Sequence, residues 1–144
     1  MKTNILPIGK LPNELLTKVL SKLPSHEPRL IIGPGIGLDC AVLDNAKNYL
    51  VLKSDPITFA VDEIGWYMVQ VNANDIATTG AIPRWLLFTA LFPEGSTTQE
   101  LIYRIYQQIY QACIDINITV IGGHTEITNG IQHPILVGTL IDRI

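Results

Sequence analysis

Asp62–Gly80 reads DEIGWYMVQVNANDIATTG, and its apolar positions repeat at helical spacing. Ile64, Met68 and Val71 make one stripe; Trp66, Val69, Ala73 and Ile76 make another. A helix apolar on two sides is sandwiched between neighbours rather than laid on a surface. Asp62 and Glu63 suit a first turn, where the helix dipole favours negative charge, and Gly80 suits the stop. Asp75 takes the next position of the first stripe, where the pattern asks for an apolar side chain. A carboxylate there costs several kcal/mol unless something pairs with it. Two readings follow: a buried Asp satisfied by Asn72, Asn74, Thr78 and Thr79, or a cation ligand at the mouth of a polar pocket.

Outward from this helix, Trp85–Phe92 is a near-continuous apolar run, as expected of a strand covered on both faces. A turn over Pro93–Ser96 precedes a helix capped by Thr97 or Thr98 and running to about Asp115, with Leu101, Ile105, Ile109 and Ala112 as its stripe. A short strand, Thr119–Ile121, is expected to end in Gly122-Gly123, and a last strand spans about Pro134–Ile141. Towards the N-terminus, a helix is expected over Pro12–Lys22, ended by Pro24 and Pro28. The glycines of Ile32–Asp39 argue against regular structure there. Cys40–Leu43 and Tyr49–Lys53 form a hairpin around Asp44–Asn48. Helix, hairpin, helix, strand, helix, strand, strand is an α+β order: a small mixed sheet with its long helices on one face. It is not the strict alternation of a doubly wound nucleotide fold.

The chain has 144 residues, one domain by size. Apolar residues make up 47% and charged ones 16%, against about 25% charged in ordinary domains, which excludes disorder. The mean hydropathy of +0.28 is high, but no run of 18 apolar residues exists, so no membrane span is expected. Thirteen acidic and ten basic side chains leave a net charge of −3. Without a Lys/Arg cluster, nucleic acid is not an expected partner. Cys40 and Cys113 allow one disulfide, but the expectation is two buried thiols in a reducing cytoplasm. Met1-Lys2 and the short run Ile5–Ile8, broken by Pro7, do not make a signal peptide.

Asp39 closes the glycine-rich stretch, and Asp55 ends the following strand before Pro56. Strand ends bring side chains to a sheet's rim, where magnesium takes one or two carboxylates together with phosphate oxygens and water. Singly, an Asp at a strand end is an ordinary turn residue. Gly33-Pro34-Gly35-Ile36-Gly37 is either a loose phosphate cradle or a plain turn; it lacks the P-loop pattern. Gly122-Gly123-His124-Thr125 reads as a glycine turn able to aim backbone N–H groups at an anion. His26, His124 and His133 have no zinc-ligand spacing, and neither cysteine has a basic sequence neighbour to make it reactive.

Four blocks together resemble the N-terminal domain of the aminoimidazole ribonucleotide synthetase (PurM-like) superfamily. They are Gly37-Leu38-Asp39-Cys40-Ala41-Val42; Lys53-Ser54-Asp55; Asn74–Ala81 with Pro83; and Gly122-Gly123-His124-Thr125. Each is short; their order is the specific part. The nearest subgroup resembled is that of HypE-like hydrogenase maturation and synthetase-related proteins. The resemblance implies ATP and Mg2+ as cofactors, with phosphoryl transfer activating an amide, carboxamide or phosphate oxygen. It implies Asp39, Asp55 and Asp75 as metal ligands, and Asn74, Asp75, Gly122 and Gly123 at the nucleotide. It further implies a homodimer whose two small sheets pool into a barrel. Leu38 stands where many members carry another acid, and His124 replaces a common aspartate. The chain stops where the second, C-terminal domain is expected, so the expectation is an N-terminal half that is inactive alone. The competing expectation is a dimerisation or assembly module that no longer binds nucleotide.

Overall fold

The computed structural model describes residues 5–144, and the Met1-Lys2 start lies outside the described residues. Nine elements follow one another: α1 (Asn13–Leu20), β1 (Leu30–Ile32), β2 (Ala41–Asp44), β3 (Tyr49–Ile57), α2 (Ile64–Thr78), β4 (Trp85–Pro93), α3 (Gln99–Asp115), β5 (Thr119–Thr128) and β6 (Ile135–Arg143). The strands form one six-stranded sheet in the order β1-β2-β3-β6-β4-β5. All neighbours are antiparallel except β4 and β5, which run parallel because α3 carries the chain back between them. The α+β class and the hairpin β2–β3 stand as expected.

Period-two alternation assigns the two faces of the sheet. Leu86, Phe88, Ala90 and Phe92 of β4 and Leu136 and Leu140 of β6 are buried on one face, beside Val51 of β3. α2 packs on β3 and β6, and α3 packs on α2. From α2, Ile64, Met68, Val69 and Ile76 fill this core; from α3, Ile105, Ile109, Ala112 and Cys113 do. Burying a side chain of this size contributes about 1.5–3 kcal/mol each, so the face between sheet and helices supplies most of the stability. Thr98 caps α3 as expected, its hydroxyl accepting from the Leu101 N–H at 3.2 Å.

Several boundaries differ from the sequence reading. α2 begins at Ile64, and Glu63 is its N-cap in the left-handed region at φ 57°, so no acidic residue lies in the first turn. β4 is covered on one face only within this chain: Trp85, Leu87, Thr89 and Leu91 stay half-exposed. With Ile135, Val137 and Ile141 of β6, they form an apolar sheet face that no helix among the described residues covers. β5 does not stop at the glycines but continues to Thr128, because parallel pairing with β4 holds it through a register shift at Leu86/Leu87. Leu30–Ile32 is a strand paired with β2 where none was expected, overlapping the glycine-rich stretch only at Ile32; residues 33–39 are in neither helix nor strand, as expected. α1 is shorter than expected, and none of its residues is buried.

Cys40 and Cys113 are free and buried. Burial pushes the Cys113 thiol up to about 11. An unfolded chain releases this proton near the ordinary value of 9.0, so Cys113 supports the fold below that pH and its support fades as pH rises from there towards 11. A thiol reagent at pH 8 is therefore expected to label neither cysteine in the native protein and both in urea. Rapid native labelling of Cys113 would contradict the packing described.

Candidate functional site

In β3, Val51, Lys53 and Asp55 share the helix-covered face by alternation, while Leu52 and Ser54 point the other way. Asp75 sits in the last turns of α2, directly above this part of β3, and Asp39 lies two residues before β2. The three carboxylates meet at one atom, the ammonium nitrogen of Lys53. Nζ lies 2.9 Å from Asp75 Oδ2, 3.2 Å from Asp55 Oδ2 and 3.7 Å from Asp39 Oδ1. No two of these oxygens can therefore lie farther apart than 3.7 plus 3.2 Å. The lysine side chain is 5% exposed, against 25% for Asp75, 41% for Asp55 and 66% for Asp39. The cluster thus grades from a dry floor to an open rim.

Burial alone would lower the Lys53 pKa. Hydrogen bonds to Asp75 and Asp55 and the field of their charges outweigh it, and the net shift is upward. Lys53 is charged at every pH below the ordinary lysine value. Three acids and one base leave the cluster two negative charges in excess. Among the described residues, no three His, Cys, Asp or Glu side chains stand ready to hold a metal ion; in this cluster the ammonium takes the middle.

The backbone at Asp55 is set by Asn72. β2 pairs with β3 only as far as Leu52, so beyond it the outer edge of β3 has no strand partner. Asn72, fully buried in α2, fills the gap. Its Oδ1 accepts from the Asp55 N–H at 2.9 Å, and its Nδ2 donates to the Met68 carbonyl at 2.8 Å and, at 3.4 Å, to the Asp55 carbonyl. Gly138 of β6 makes this possible. A Cβ there would come within 2.7 Å of Asn72 Nδ2 and 2.6 Å of Met68 Sδ. On the other flank, Cys40 Sγ donates to the Asp75 carbonyl at 3.4 Å, joining the start of β2 to α2. Gly33 and Pro34 of the glycine-rich stretch line a cleft of about 330 Å³ together with Asp39, Cys40 and Lys53.

The other expected site residues lie apart from this cluster. Asn74 is exposed on α2. Gly122 and Gly123 are on β5, at the far edge of the sheet. Asp55 pairs with Gly138, Gly138 with Phe88, and Phe88 with Gly123, so acid and glycine occupy one transverse row of the sheet. Three strand spacings, about 14 Å, separate them. A Cβ at Gly123 would run into the Phe88 carbonyl, which explains the glycine without a ligand. Beside it lies a second cleft of about 290 Å³, lined by Phe88, Tyr106, Gly122, Gly123, His124 and Thr125. The Tyr106 and Thr125 hydroxyls are hydrogen-bonded across it, and His124 Nε2 faces Glu126 Oε2 at 2.9 Å.

The family model for the AIR synthase related protein, N-terminal domain, matches residues 37–142. The chain belongs to this AIR synthase related family. A putative hydrogenase expression/formation protein of Methanocaldococcus jannaschii is 29% identical, over 94% of this chain and 43% of its own length. Phosphoribosylformylglycinamidine cyclo-ligase of Staphylococcus aureus is 36% identical, over 82% of this chain and 31% of its own. Among solved structures, hydrogenase maturation protein HypE in complex with ATP superposes with a TM-score of 0.62 at 20% identity, over 66% of this chain and 30% of that one. The chain spans less than half the length of these curated relatives. Within this AIR synthase related domain, Lys53 and Asn72 are the residues whose roles the sequence reading missed. Lys53 could have been found as a base two residues from an acid on one strand face. Asn72 could have been found as a polar residue four after Met68 on the buried stripe.

Asn72→Ala is expected to cost about 1–3 kcal/mol, because it strands the Asp55 N–H in a half-buried setting. Urea unfolding measures the loss, and faster hydrogen exchange at the Asp55 amide localises it. An unchanged exchange rate there would remove Asn72 from the site's support.

Proposed function

We propose that this chain is the ATP- and magnesium-binding N-terminal half of a HypE-like or AIR synthase-related enzyme. Its reaction would be ATP-dependent phosphoryl transfer to an amide or carboxamide-type oxygen. The observation that carries the reading is the convergence of Asp39, Asp55 and Asp75, from three separate segments, on one point at the sheet's rim. Oxygen donors of this kind fit magnesium, which accepts one or two carboxylates and completes its shell with phosphate oxygens and water. Asp75 and Asp55, the better buried pair, would hold the ion, and Asp39 would reach it from the open side. Bound ATP and magnesium would supply the transferable phosphoryl group and neutralise its charge. Asn74 and the backbone at Gly122-Gly123 are proposed nucleotide contacts. The family resemblance and a HypE relative solved with ATP support this reading.

The apolar sheet face formed by Leu87, Leu91, Ile135, Val137 and Ile141 supports the proposed homodimer, in which two sheets would close into a barrel. Catalysis is proposed to need the C-terminal remainder found in the longer relatives, so this half is expected to be feeble alone. A cytoplasmic location is part of this proposal, and the two free thiols support it.

A second reading has its own observation. Lys53 occupies the middle of the carboxylate cluster, Leu38 adds no acid, and His124 stands in place of an aspartate. These favour a dimerisation or assembly module that no longer binds nucleotide.

Asp75→Asn is expected to weaken magnesium-dependent ATP binding at least tenfold without unfolding the protein, measured by calorimetric titration of the longer protein. Equal affinities would remove Asp75 from the site. A melting scan separates the two readings: ATP–magnesium at 100 times its dissociation constant adds about 2.7 kcal/mol to a binder and nothing to a module without nucleotide. Light scattering checks the dimer, and a clean monomer at micromolar concentration would count against the barrel.

A further inference from the structure

Lys53 is the one base in the carboxylate cluster and its most buried member. Its ammonium stands within salt-bridge distance of all three acids at once. A divalent ion ligated by the same oxygens needs the same place, and a cation and an ammonium cannot share it at contact distance. We propose that Lys53 is a resident counter-cation that shuts this cluster to free divalent metal ions. The inference rests on reading Asp39, Asp55 and Asp75 as cation ligands.

Three observations support this role. The ammonium offsets one of the three negative charges on a floor that water scarcely reaches, where uncompensated carboxylates are costly. An arriving metal must therefore displace the ammonium as well as shed its own water. The lysine is also free to leave by rotation of its four-carbon stem, because the cleft of about 330 Å³ lined by Gly33, Pro34 and Asp39 opens beside it. Once displaced, the ammonium needs another anion, and neither Gly33 nor Pro34 supplies one. A polyphosphate bound with the metal does supply it. The site would then discriminate between a free ion and a metal–nucleotide complex, using a residue already in the fold.

The test is Mn2+ titration of the metal-stripped chain without nucleotide, followed by electron paramagnetic resonance. Lys53→Met is expected to bind Mn2+ roughly tenfold or more tightly than the wild type, as removal of a neighbouring like charge dictates. Lys53→Arg keeps the charge and is expected to stay near the wild type. Should Lys53→Met fail to fold, Lys53→Gln, which removes the charge but keeps a hydrogen-bond donor among the three intact carboxylates, carries the comparison, and tighter Mn2+ binding is still expected. Added ATP is expected to raise Mn2+ affinity in the wild type more than in Lys53→Met. Mn2+ affinity that is the same with and without the lysine overturns the proposal. Tighter Mn2+ binding by the variants, with no ATP effect in any protein, upholds the counter-cation and removes the nucleotide reading instead.

Discussion

A buried ammonium held by three carboxylates is the interaction on which this end of the molecule depends. Lys53 enters from the middle of β3 and Asp55 from two residues farther along the same strand, which runs on through Pro56 to Ile57 where the sequence reading ended it at Asp55. Asp75 enters from the last turns of α2, and Asp39 from the segment leading into β2. The ammonium on its dry floor would be a liability alone, and Asp75, the best covered of the acids, lies nearest to it. Together they tie three stretches of chain at this end of the molecule. The tie is stiffened from behind: Asn72 holds the Asp55 backbone, and Cys40 reaches the Asp75 carbonyl. The core below is apolar and close-packed, so the charged cluster rests on a floor that gives little.

The features legible in the sequence are those that rest on local periodicity. α2 and α3 were readable from their apolar stripes, and the start of α3 from Thr98, because these signals lie within a few residues of one another. β4 and β6 were readable as apolar runs. β1 was hidden, since three residues beside a glycine- and proline-rich stretch carry no period. β5 was cut short at Gly122-Gly123, because glycine weakens a strand by propensity alone; pairing with β4 along its whole length overrides that weakness. α1 has the apolar spacing of a packed helix and yet none of its residues is fully buried, Leu15, Leu16 and Leu20 being only half-buried.

The site was legible in part, for a related reason. The three aspartates stood out through their positions at the ends of elements. Their convergence depends on the order of strands in the sheet and on α2 crossing β3 and β6, which no local pattern states. Lys53 was invisible as a functional group because a lysine in a strand ordinarily marks the solvent face. Here it falls on the helix side, in step with Val51, and the price of that burial is met by acids distant in sequence. Asn72 was masked in the same way, as one polar residue among several near Asp75.

The transverse row Asp55–Gly138–Phe88–Gly123 constrains how the two clefts can cooperate. Strand pairing fixes their separation, and no loop movement shortens a distance spanned by hydrogen-bonded strands. A residue larger than glycine at either crowded point would push Asn72 off Asp55 or β5 off β4. Adjustment on binding is therefore confined to parts outside the ladder: the Lys53 side chain, the glycine-rich stretch before β2 and the end of α2. A frame so rigid across the sheet leaves the proposed exchange of cations at Lys53 to a side chain rather than to movement of the backbone.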